Sequence, residues 1–373
     1  MTDAIHIIEP TLATETGHCY SFVNSLCRAS DSVRFCLWVN RHASISFAGA
    51  NVQIKPYFFR KTRRLQGYFL YKKLLDAGAK LFVSTASVSD MALVNWASCG
   101  VIPKGRVYLY FHWFNISARK LAYLKKLAVQ QPNLVVLGPT PSVVNVFKEA
   151  GFGNTHLVPY PIPAKTREGG FEQRDFKGLL YAGAARQDKG ISHIVDLVAH
   201  LNVSALRIPF KLQNSPDHHG QYDAATQADL QRLEQIDYRY LQLFPDTLNA
   251  EEYANMFAGM ICIQLYDPAL FADRISGVTL DALCAGSPIV ATAGTWIARI
   301  VQRFDAGVVV DSPGPEKTLS AVQKIIAEYP RYNKNAYMAG LTLQQENSAE
   351  FLLNTLVNDA TFCVTPSPTQ PPP

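Results

Sequence analysis

Long apolar runs and paired cysteines are both missing from this chain of 373 residues. No stretch of eighteen or more apolar residues occurs, so the sequence predicts no membrane-spanning helix. The seven cysteines form no C-x-x-C pair, which argues against both a disulfide framework and a zinc cluster. The opening MTDAIHIIEP lacks the basic and apolar regions of a signal peptide, so we expect a cytoplasmic protein.

Charged residues are sparse, at 17%, and they are unevenly distributed along the chain. Residues 1–165 contain 19 Lys and Arg against 7 Asp and Glu, which gives a net charge of +12. The remainder contains 16 against 23, which gives −7, and the two sum to the +5 of the whole chain. The two halves are therefore expected to have different partners.

The order of apolar segments predicts an α/β fold. Short apolar runs alternate with helical patterns, which is typical of parallel sheets with crossover helices. Strand candidates in the first half are 6–10, 33–40, 80–85, 106–114, 133–138 and 156–162. Those in the second half are 178–184, 210–213, 240–244, 260–266, 287–293 and 306–310.

A charged segment without periodicity, residues 164–176, interrupts this alternation and is interpreted as a hinge. The length of the chain also exceeds what one hydrophobic core usually supports. We therefore expect an N-terminal domain at 1–163, a second domain at 177–335, a C-terminal helical segment at 336–360 and a Pro-rich tail at 361–373.

The segment GLLYAGAARQDKG (178–190) runs from a predicted strand into a predicted helix. Gly183 permits a tight turn, while Arg186 and Lys189 place positive charge beside the helix N-terminus. This combination predicts an anion site, and a diphosphate is the expected anion. An ordinary strand-to-helix turn with solvated charges is the alternative interpretation.

The segment ADRISGVTLDALCAGSPIV (272–290) follows a strand in the same way. Gly277, Val278 and Thr279 are predicted to open a helix whose first N–H groups face an anion or a hydroxyl-rich ligand. Asp281 is expected one turn into that helix and Asp273 in the loop before it, where carboxylates suit vicinal sugar hydroxyls. Alternatively, Asp273 merely favours the start of the helix.

Both segments resemble motifs of one enzyme family. Residues 281–290, D-A-L-C-A-G-S-P-I-V, are similar to the E-A-x-A-x-G-x-P-V-V run of the E-x(7)-E nucleotide-sugar glycosyltransferases, the family 4-like "group 1" enzymes. Residues 183–190 resemble the family's G-R-x-x-x-x-K-G element. Residues 244–257 resemble its loop and helix before the E-x(7)-E motif, with a capping box predicted at Asn249 and Glu252. The resemblance covers residues 178–312 and is only architectural in the first half.

The resemblance implies a GT-B fold, in which two Rossmann-like domains face each other across a cleft. It also implies that the C-terminal helix packs back on the N-terminal domain. The nucleotide sugar would then bind the C-terminal domain and the acceptor would lie against the N-terminal one.

The resemblance also implies roles for single residues. Asp273 would lie against the transferred sugar, and Asp281 would bind the ribose hydroxyls. Lys189 would hold the diphosphate, supported by the amides of Gly277 and Val278.

The chain departs from the family pattern at several of these positions. Both family glutamates are aspartates here, and Ser276 takes the usual glycine position. Ala184 replaces the family's phosphate-binding arginine, so Arg186 is expected to substitute for it. Ser276 and Thr279 complete the residues expected around the nucleotide sugar, together with Gly183.

Two residues of the first half are candidates for the same site. Gly17 follows the first strand and would let the acceptor or a phosphate approach the backbone, although a simple helix-entry glycine fits equally well. His112 ends a predicted strand, where the family often places a histidine that faces the transferred sugar. A lone histidine at a strand end is more often structural.

Two basic segments, 58–75 and 119–127, place Lys and Arg among Phe, Tyr and Leu. Such basic amphipathic stretches suit anionic membrane surfaces. A solvated helix face is the alternative, and no nucleic-acid partner is expected because no recognised binding motif accompanies the charge.

Taken together, the sequence predicts a glycosyltransferase of the hexosyltransferase type, with a glycan or lipid-linked acceptor, acting in cell-surface polysaccharide or glycolipid synthesis. Retention of anomeric configuration is implied by the resemblance alone. The chain contains no D-x-D motif, so we expect no bound metal, and we also expect no cofactor. The basic segments lead us to expect a protein that is peripheral on the inner face of the membrane. A nucleotide-sugar epimerase of the same fold and a degenerate sugar-nucleotide-binding domain remain the alternatives.

Overall fold

The chain divides into two compact units. The computed structural model describes residues 4–15, 17–47, 49–162, 170–214, 222–246 and 248–358. Unit 1 comprises Met1–Pro163 and Asn347–Pro373, and unit 2 comprises Ala164–Glu346. Within the predicted hinge, residues 170–176 form neither helix nor strand, and residues 164–169 lie outside the described ranges. The predicted tail 361–373 also lies outside them.

Unit 1 contains a sheet of seven parallel strands in the order β3-β2-β1-β4-β5-β6-β7. The strands are β1 (Ala4–Ile8), β2 (Arg34–Asn40), β3 (Val52–Phe58), β4 (Lys80–Val83), β5 (Val107–Tyr110), β6 (Val135–Gly138) and β7 (Thr155–Leu157). Its helices are α1 (His18–Arg28), α2 (Arg63–Asp76), α3 (Val88–Ala97), α4 (Ala118–Gln130), α5 (Pro141–Glu149) and, after unit 2, α14 (Ala349–Val357).

Unit 2 contains six parallel strands in the order β10-β9-β8-β11-β12-β13. The strands are β8 (Gly178–Tyr181), β9 (Phe210–Gln213), β10 (Leu241–Phe244), β11 (Met260–Gln264), β12 (Ile289–Thr292) and β13 (Gly307–Val310). The helices are α6 (Ile191–Val203), α7 (Ala224–Glu234), α8 (Ala250–Met256), α9 (Pro268–Phe271), α10 (Gly277–Cys284), α11 (Trp296–Phe304), α12 (Pro315–Ala327) and α13 (Tyr329–Glu346). Two Rossmann-like units of parallel sheet confirm the predicted fold class.

Strand β3 is absent from the predicted strands. It lies at the edge of the sheet and pairs only with β2. Its sequence includes Gln53, Lys55 and Pro56. An edge strand tolerates such residues, because it needs neither two apolar faces nor every backbone N–H group for pairing. The apolar pattern that identifies buried strands is therefore too weak here to predict a strand.

The C-terminal helix α14 belongs to unit 1. Leu352 and Leu356 are fully buried and share a hydrophobic cluster with Phe22 and Leu26 of α1. The carbonyl of Leu356 also accepts a hydrogen bond from Lys80 Nζ, at 2.5 Å. The predicted return of the C-terminal helix to the N-terminal domain is confirmed, and the helical segment 336–360 divides between the units after Glu346.

Each sheet has one position where the order of strands reverses. In unit 1 this point lies between β1 and β4, and in unit 2 it lies between β8 and β11. Ligands of open α/β sheets bind beyond the carboxyl ends of the strands at such a point. Each unit therefore has one place where the fold itself favours a site.

Candidate functional site

Both predicted motifs of unit 2 begin at its strand-order reversal. The segment after β8 contains Gly183, Arg186 and Lys189, and the segment after β11 contains Asp273 and α10. Because β8 and β11 are adjacent parallel strands, their carboxyl ends lie side by side. The fold thus brings together two segments that stand about eighty residues apart in the sequence.

Gly183 marks the contact between the two segments. Its φ of +91° lies in the left-handed region, which favours glycine. A Cβ atom at this position would lie 3.1 Å from Lys189 Nζ and 3.1 Å from Val278 Cγ2. Its N–H donates to Gln213 Oε1 at 2.7 Å. The predicted turn therefore exists, and it places the ammonium of Lys189 close to the backbone beside α10.

Gly190 packs the same turn against the segment after β11. It caps α6 with a φ of +75°, and a Cβ atom there would lie 2.1 Å from the carbonyl oxygen of Leu265. The N–H of Asp267 donates to the carbonyl of Asp188 at 3.1 Å, which joins the two segments a second time. The position of Lys189 is thus determined by backbone packing on both sides.

Three cationic side chains gather around one carboxylate in this turn. Arg186 Nη2 lies 2.8 Å from Asp188 Oδ2, and Arg274 Nη1 lies 3.5 Å from the same oxygen. Lys189 completes the group, with Nζ 5.8 Å from the centroid of the Tyr266 ring. The segments after β8 and β11 therefore bring three positive charges together, and the contribution of Arg274 was not predicted from the sequence.

The environment of Lys189 disfavours its charged form. Burial is the main cause and lowers the pKa of Lys189 to about 8, and the neighbouring charges of Arg186 and Arg274 act in the same direction. Asp188 opposes them. A bound anion would favour the protonated form, so ligand binding and protonation of Lys189 are coupled.

The N-terminus of α10 forms the other side of the site. Ser276 caps the helix, and its side chain accepts the N–H of Thr279. Gly277 is exposed, and a Cβ atom there would meet nothing within 4 Å. Thr279 is fully buried and its hydroxyl donates to Gln264 Oε1 at 2.6 Å. Gly277 and Val278 are the first residues of α10, so their backbone N–H groups have no acceptor within the helix.

The two aspartates have different neighbours. Asp273 forms an ion pair with Arg299 of α11, and both side chains are partly exposed. Asp281 lies beside Tyr253 of α8; burial and then the charge of Asp281 hold the pKa of Tyr253 well above its usual range. Helix α8 starts with the predicted capping box, in which Asn249 Oδ1 accepts the N–H of Glu252 at 2.9 Å.

His112 and Gly17 lie in unit 1, whereas the other nine predicted site residues lie in unit 2. Strand β5 ends at Tyr110, so His112 stands in the loop after the strand and not at its end as predicted. Its Nε2 is 2.8 Å from the carbonyl oxygen of Ser84, which can only accept, so Nε2 carries the proton. Gly17 caps α1 with a φ of +86°, and a Cβ atom there would meet nothing within 4 Å.

Glu9 is a further polar residue at the strand-order reversal of unit 1. It follows β1, is almost fully buried, and accepts hydrogen bonds from Ser84 Oγ at 2.8 Å and Thr11 Oγ1 at 2.6 Å. Ser84 therefore links Glu9 to His112. The sequence offered no signal for this link, because the three residues belong to three different strand ends.

Four residues of the unit 2 site were not predicted from the sequence. Arg274 and Asp188 each stand next to a predicted residue, but sequence alone does not show which way a side chain points. Arg299 and Tyr253 reach the two aspartates from helices α11 and α8. Arg299 and Tyr253 could not be predicted from local sequence, because they are far from the aspartates along the chain.

The basic segments lie on the surface of unit 1. In the first, Arg60, Lys61, Arg63 and Arg64 are exposed beside Leu65, which is 61% exposed. Phe59 and Phe69 are also exposed there, as is Trp96 on α3, a helix that packs against α2. In the second segment, Arg119, Lys120, Lys125 and Lys126 of α4 are exposed.

The described residues contain neither a membrane-spanning helix nor a cluster of metal-binding side chains. No helix in the described ranges combines the length and apolar character needed to cross a bilayer. Among the same residues, no group of three or more His, Cys, Asp or Glu side chains is arranged to hold a metal ion.

Two Rossmann-like units of parallel sheet, each with one strand-order reversal, have the architecture of the GT-B fold. Structural comparison confirms this predicted fold. Sucrose-phosphate synthase from Thermosynechococcus elongatus has a TM-score of 0.69 at 14% sequence identity, over 95% of this chain and 98% of that one.

Two further glycosyltransferase-fold structures agree. WaaG, a glycosyltransferase involved in lipopolysaccharide biosynthesis, has a TM-score of 0.65 at 12% identity over 95% of this chain and 99% of that one. HepE from Anabaena, in complex with UDP-glucose, has a TM-score of 0.67 at 11% identity over 95% and 98%. No protein-family model and no curated protein sequence matches the chain.

Proposed function

We propose that the protein is a glycosyltransferase that moves a hexosyl group from a nucleotide-diphosphate sugar to a glycan or a lipid-linked acceptor. One observation carries the proposal. At the strand-order reversal of unit 2, three cationic side chains lie close to the N-terminus of α10. Two carboxylates, those of Asp273 and Asp281, lie on the segment that contains α10. Such an arrangement suits a diphosphate that is attached to hydroxyl-rich groups on both sides.

Each group in this turn has a task in that reaction. Lys189 and Arg186 bind the diphosphate, and the amides of Gly277 and Val278 add partial positive charge as the leaving group forms. Asp281 accepts hydrogen bonds from the ribose, and Asp273, positioned by Arg299, accepts them from the transferred sugar. The role of His112 of unit 1 towards the transferred sugar is proposed on the family resemblance alone.

The leaving-group charge is carried by side chains and helix amides, and the proposed reaction uses no cofactor and no bound metal. We further propose retention of the anomeric configuration, on the resemblance of the α10 segment to the E-x(7)-E motif. The structure of HepE with UDP-glucose and the role of WaaG in lipopolysaccharide biosynthesis support a nucleotide-sugar substrate and a cell-surface product.

The test is a transfer assay with UDP-, GDP- and ADP-hexoses, lipid extracts as acceptors, and the anomeric protons of the product followed by NMR. Release of nucleoside diphosphate together with a glycosylated product, unchanged by EDTA, is the expected result. Interconversion of sugar nucleotides without release would identify an epimerase. Binding without either reaction would identify a degenerate domain.

The basic segments of unit 1 support an acceptor at a membrane surface. Exposed cations beside exposed Phe59, Leu65 and Phe69 combine electrostatic attraction to anionic lipids with apolar side chains that enter the interface. Each basic residue near an anionic surface adds about 1 kcal/mol of attraction. We propose that the protein is peripheral on the inner face of the membrane and that its product is a glycolipid or a polysaccharide precursor.

Vesicle sedimentation tests this attachment. Binding is expected to rise with the fraction of anionic lipid and to fall with salt. Replacement of Arg60, Lys61, Arg63 and Arg64 by Ser should remove most of it, whereas four Ser replacements at exposed Arg and Lys residues of unit 2 should not. Equal binding of the two variants would argue for a soluble acceptor.

A further inference from the structure

The surroundings of the Arg274 side chain could not be predicted from the sequence. It stands between Asp273 and the cap of α10, and its side chain is 30% exposed. The guanidinium carbon lies 4.8 Å from the centroid of the Phe271 ring. The ring packs against one side of the guanidinium, and Asp188 Oδ2 lies 3.5 Å from its Nη1. The side chain is therefore directed towards the turn after β8 and is not simply a solvated surface charge.

The charges around Arg274 do not balance. Arg186, Lys189 and Arg274 contribute three positive charges and Asp188 one negative charge, which leaves a net +2. Burial and the charge of Arg186 lower the pKa of Arg274, so the cluster holds like charges together at a loss of stability. A group of two anionic phosphates, each with about one negative charge, would balance this excess.

Arg186 supplies an independent indication of a ligand. Its Nε atom is buried and has no hydrogen-bond partner among the described residues. A buried donor without a partner is unfavourable, and in native structures such a donor usually meets a water, an ion or a ligand. An acceptor such as a phosphate oxygen in the same turn would complete the hydrogen bonding of this guanidinium.

We infer that Arg274 is a diphosphate-binding residue of this site and that Asp188 positions Arg274 and Arg186 for that contact. This inference rests on the proposed function and deepens it. Ala184, next to Gly183, brings no charge to the turn after β8. Arg274 supplies a positive charge from the segment after β11, so the segments after both strands contribute to diphosphate binding. One oxygen of Asp188 is close to both guanidinium groups.

Calorimetric titration of the full chain with UDP, GDP, ADP and inorganic diphosphate tests Arg274 without turnover. Arg274→Gln keeps an aliphatic stem against Phe271 and removes the charge. It is expected to weaken the preferred nucleotide and inorganic diphosphate by the same factor, about ten- to a hundredfold, because one charged hydrogen bond is lost. Arg274→Lys should recover only part of this loss. Arg239→Gln, an exposed arginine of unit 2, is the matched control and should bind as the wild type does.

Asp188→Asn separates positioning from simple charge. The variant makes the cluster more positive, so a purely electrostatic role predicts tighter binding of inorganic diphosphate. If Asp188 positions the two arginines, binding weakens severalfold although the charge rises. Thermal unfolding of each variant identifies any that is not folded, and Arg274→Lys then replaces Arg274→Gln in the comparison.

The outcomes distinguish this inference from the proposed function. If the wild type binds none of the three nucleotides, the proposed function itself fails. If the wild type binds one of them, and folded Arg274 variants bind it as tightly as the Arg239→Gln control, the inference is wrong and the proposed function stands. Tighter binding by Asp188→Asn would overturn the positioning role alone.

Discussion

Lys189 owes its properties to the two segments that enclose it. Its ammonium lies close to Gly183 and Tyr266, and burial with two neighbouring arginines lowers its pKa to about 8. Near neutral pH it is therefore charged but easily deprotonated. A diphosphate that binds there stabilises the charged form, and the nucleotide and the proton favour each other.

Replacement of Lys189 should reveal both its charge and its pKa. Lys189→Ala is expected to lower turnover about a hundredfold or more, since one charged contact to a developing anion is lost. In the wild type, affinity for the nucleoside diphosphate should fall as the pH rises from 7 to 9.5, because the free enzyme loses the Lys189 proton near pH 8. In Lys189→Arg the fall should be absent, since a guanidinium stays charged.

Titration calorimetry at several pH values measures these affinities, with Lys211→Arg of β9 as the control. If Lys189→Ala and Arg186→Ala both keep near-native activity, the turn after β8 does not bind the diphosphate. The same pH profile in the wild type and in Lys189→Arg would assign the titration to another group.

The two aspartates should affect different kinetic parameters. Asp281→Asn is expected mainly to raise the KM for the nucleotide sugar, and Asp273→Asn mainly to lower kcat, because the proposed function assigns Asp281 to the nucleotide and Asp273 to the transferred sugar. Arg299→Ala should resemble Asp273→Asn, since Arg299 holds that carboxylate. Steady-state kinetics measures this division, with Asp237→Asn, at an exposed loop residue, as control. Equal losses in both parameters for both variants would contradict it.

At the scale of elements, the site depends on how two strand ends and two helix starts are fixed to one another. Gly190 caps α6 against Leu265, the residue after β11, where a Cβ atom would lie 2.1 Å from the Leu265 carbonyl oxygen. Gly277 starts α10 in open space. Both glycines lie at helix starts in similar motifs, but only the first is required by packing and by a positive φ.

Substitution of these two glycines should therefore affect stability differently. Gly190→Ala is expected to lower the free energy of unfolding by about 2 kcal/mol or more, from the left-handed backbone and the contact with Leu265. Gly277→Ala should change it by less than about 1 kcal/mol. Urea denaturation measures both. Comparable losses for the two would mean that the approach of Gly190 to β11 is unimportant.

At the scale of the whole molecule, the chain leaves unit 1 after the first sheet, builds unit 2, and returns to unit 1 with α14. The returning helix adds Leu352, Leu353 and Leu356 to the cluster that covers one face of the first sheet. Unit 1 is therefore complete only when the last helix is present.

A cavity in α14 should destabilise unit 1 and leave unit 2 unaffected. Leu352→Ala is expected to lower the stability of unit 1 by about 2–5 kcal/mol, the usual range for a buried leucine. Hydrogen exchange should quicken in β1 and β2 but not in β8 and β11. Val357→Ala, at a half-exposed position of the same helix, is the control and should behave like the wild type. Faster exchange in both sheets would contradict the division.

The sequence anticipated most of the fold because the buried strands of both sheets are continuous apolar runs, which periodicity detects. It missed β3, where pairing on one side only tolerates Lys55 and Pro56. It extended the fifth strand through His112, because aromatic residues continue beyond Tyr110 in the loop. Local composition does not show where a sheet stops pairing.

By itself, the sequence determined the α/β class, the parallel sheets and the two segments with Lys189 and α10, since each follows from apolar runs, glycines and charges that are close neighbours in the chain. Only the tertiary structure decided which side chains meet across these segments. Arg274 meets Asp188, Arg299 meets Asp273 and Tyr253 meets Asp281, because adjacent strands and distant helices bring together residues that sequence spacing does not relate. The direction of a side chain depends on its neighbours in three dimensions. The side-chain contacts of the turn therefore follow from the tertiary structure and not from the sequence alone.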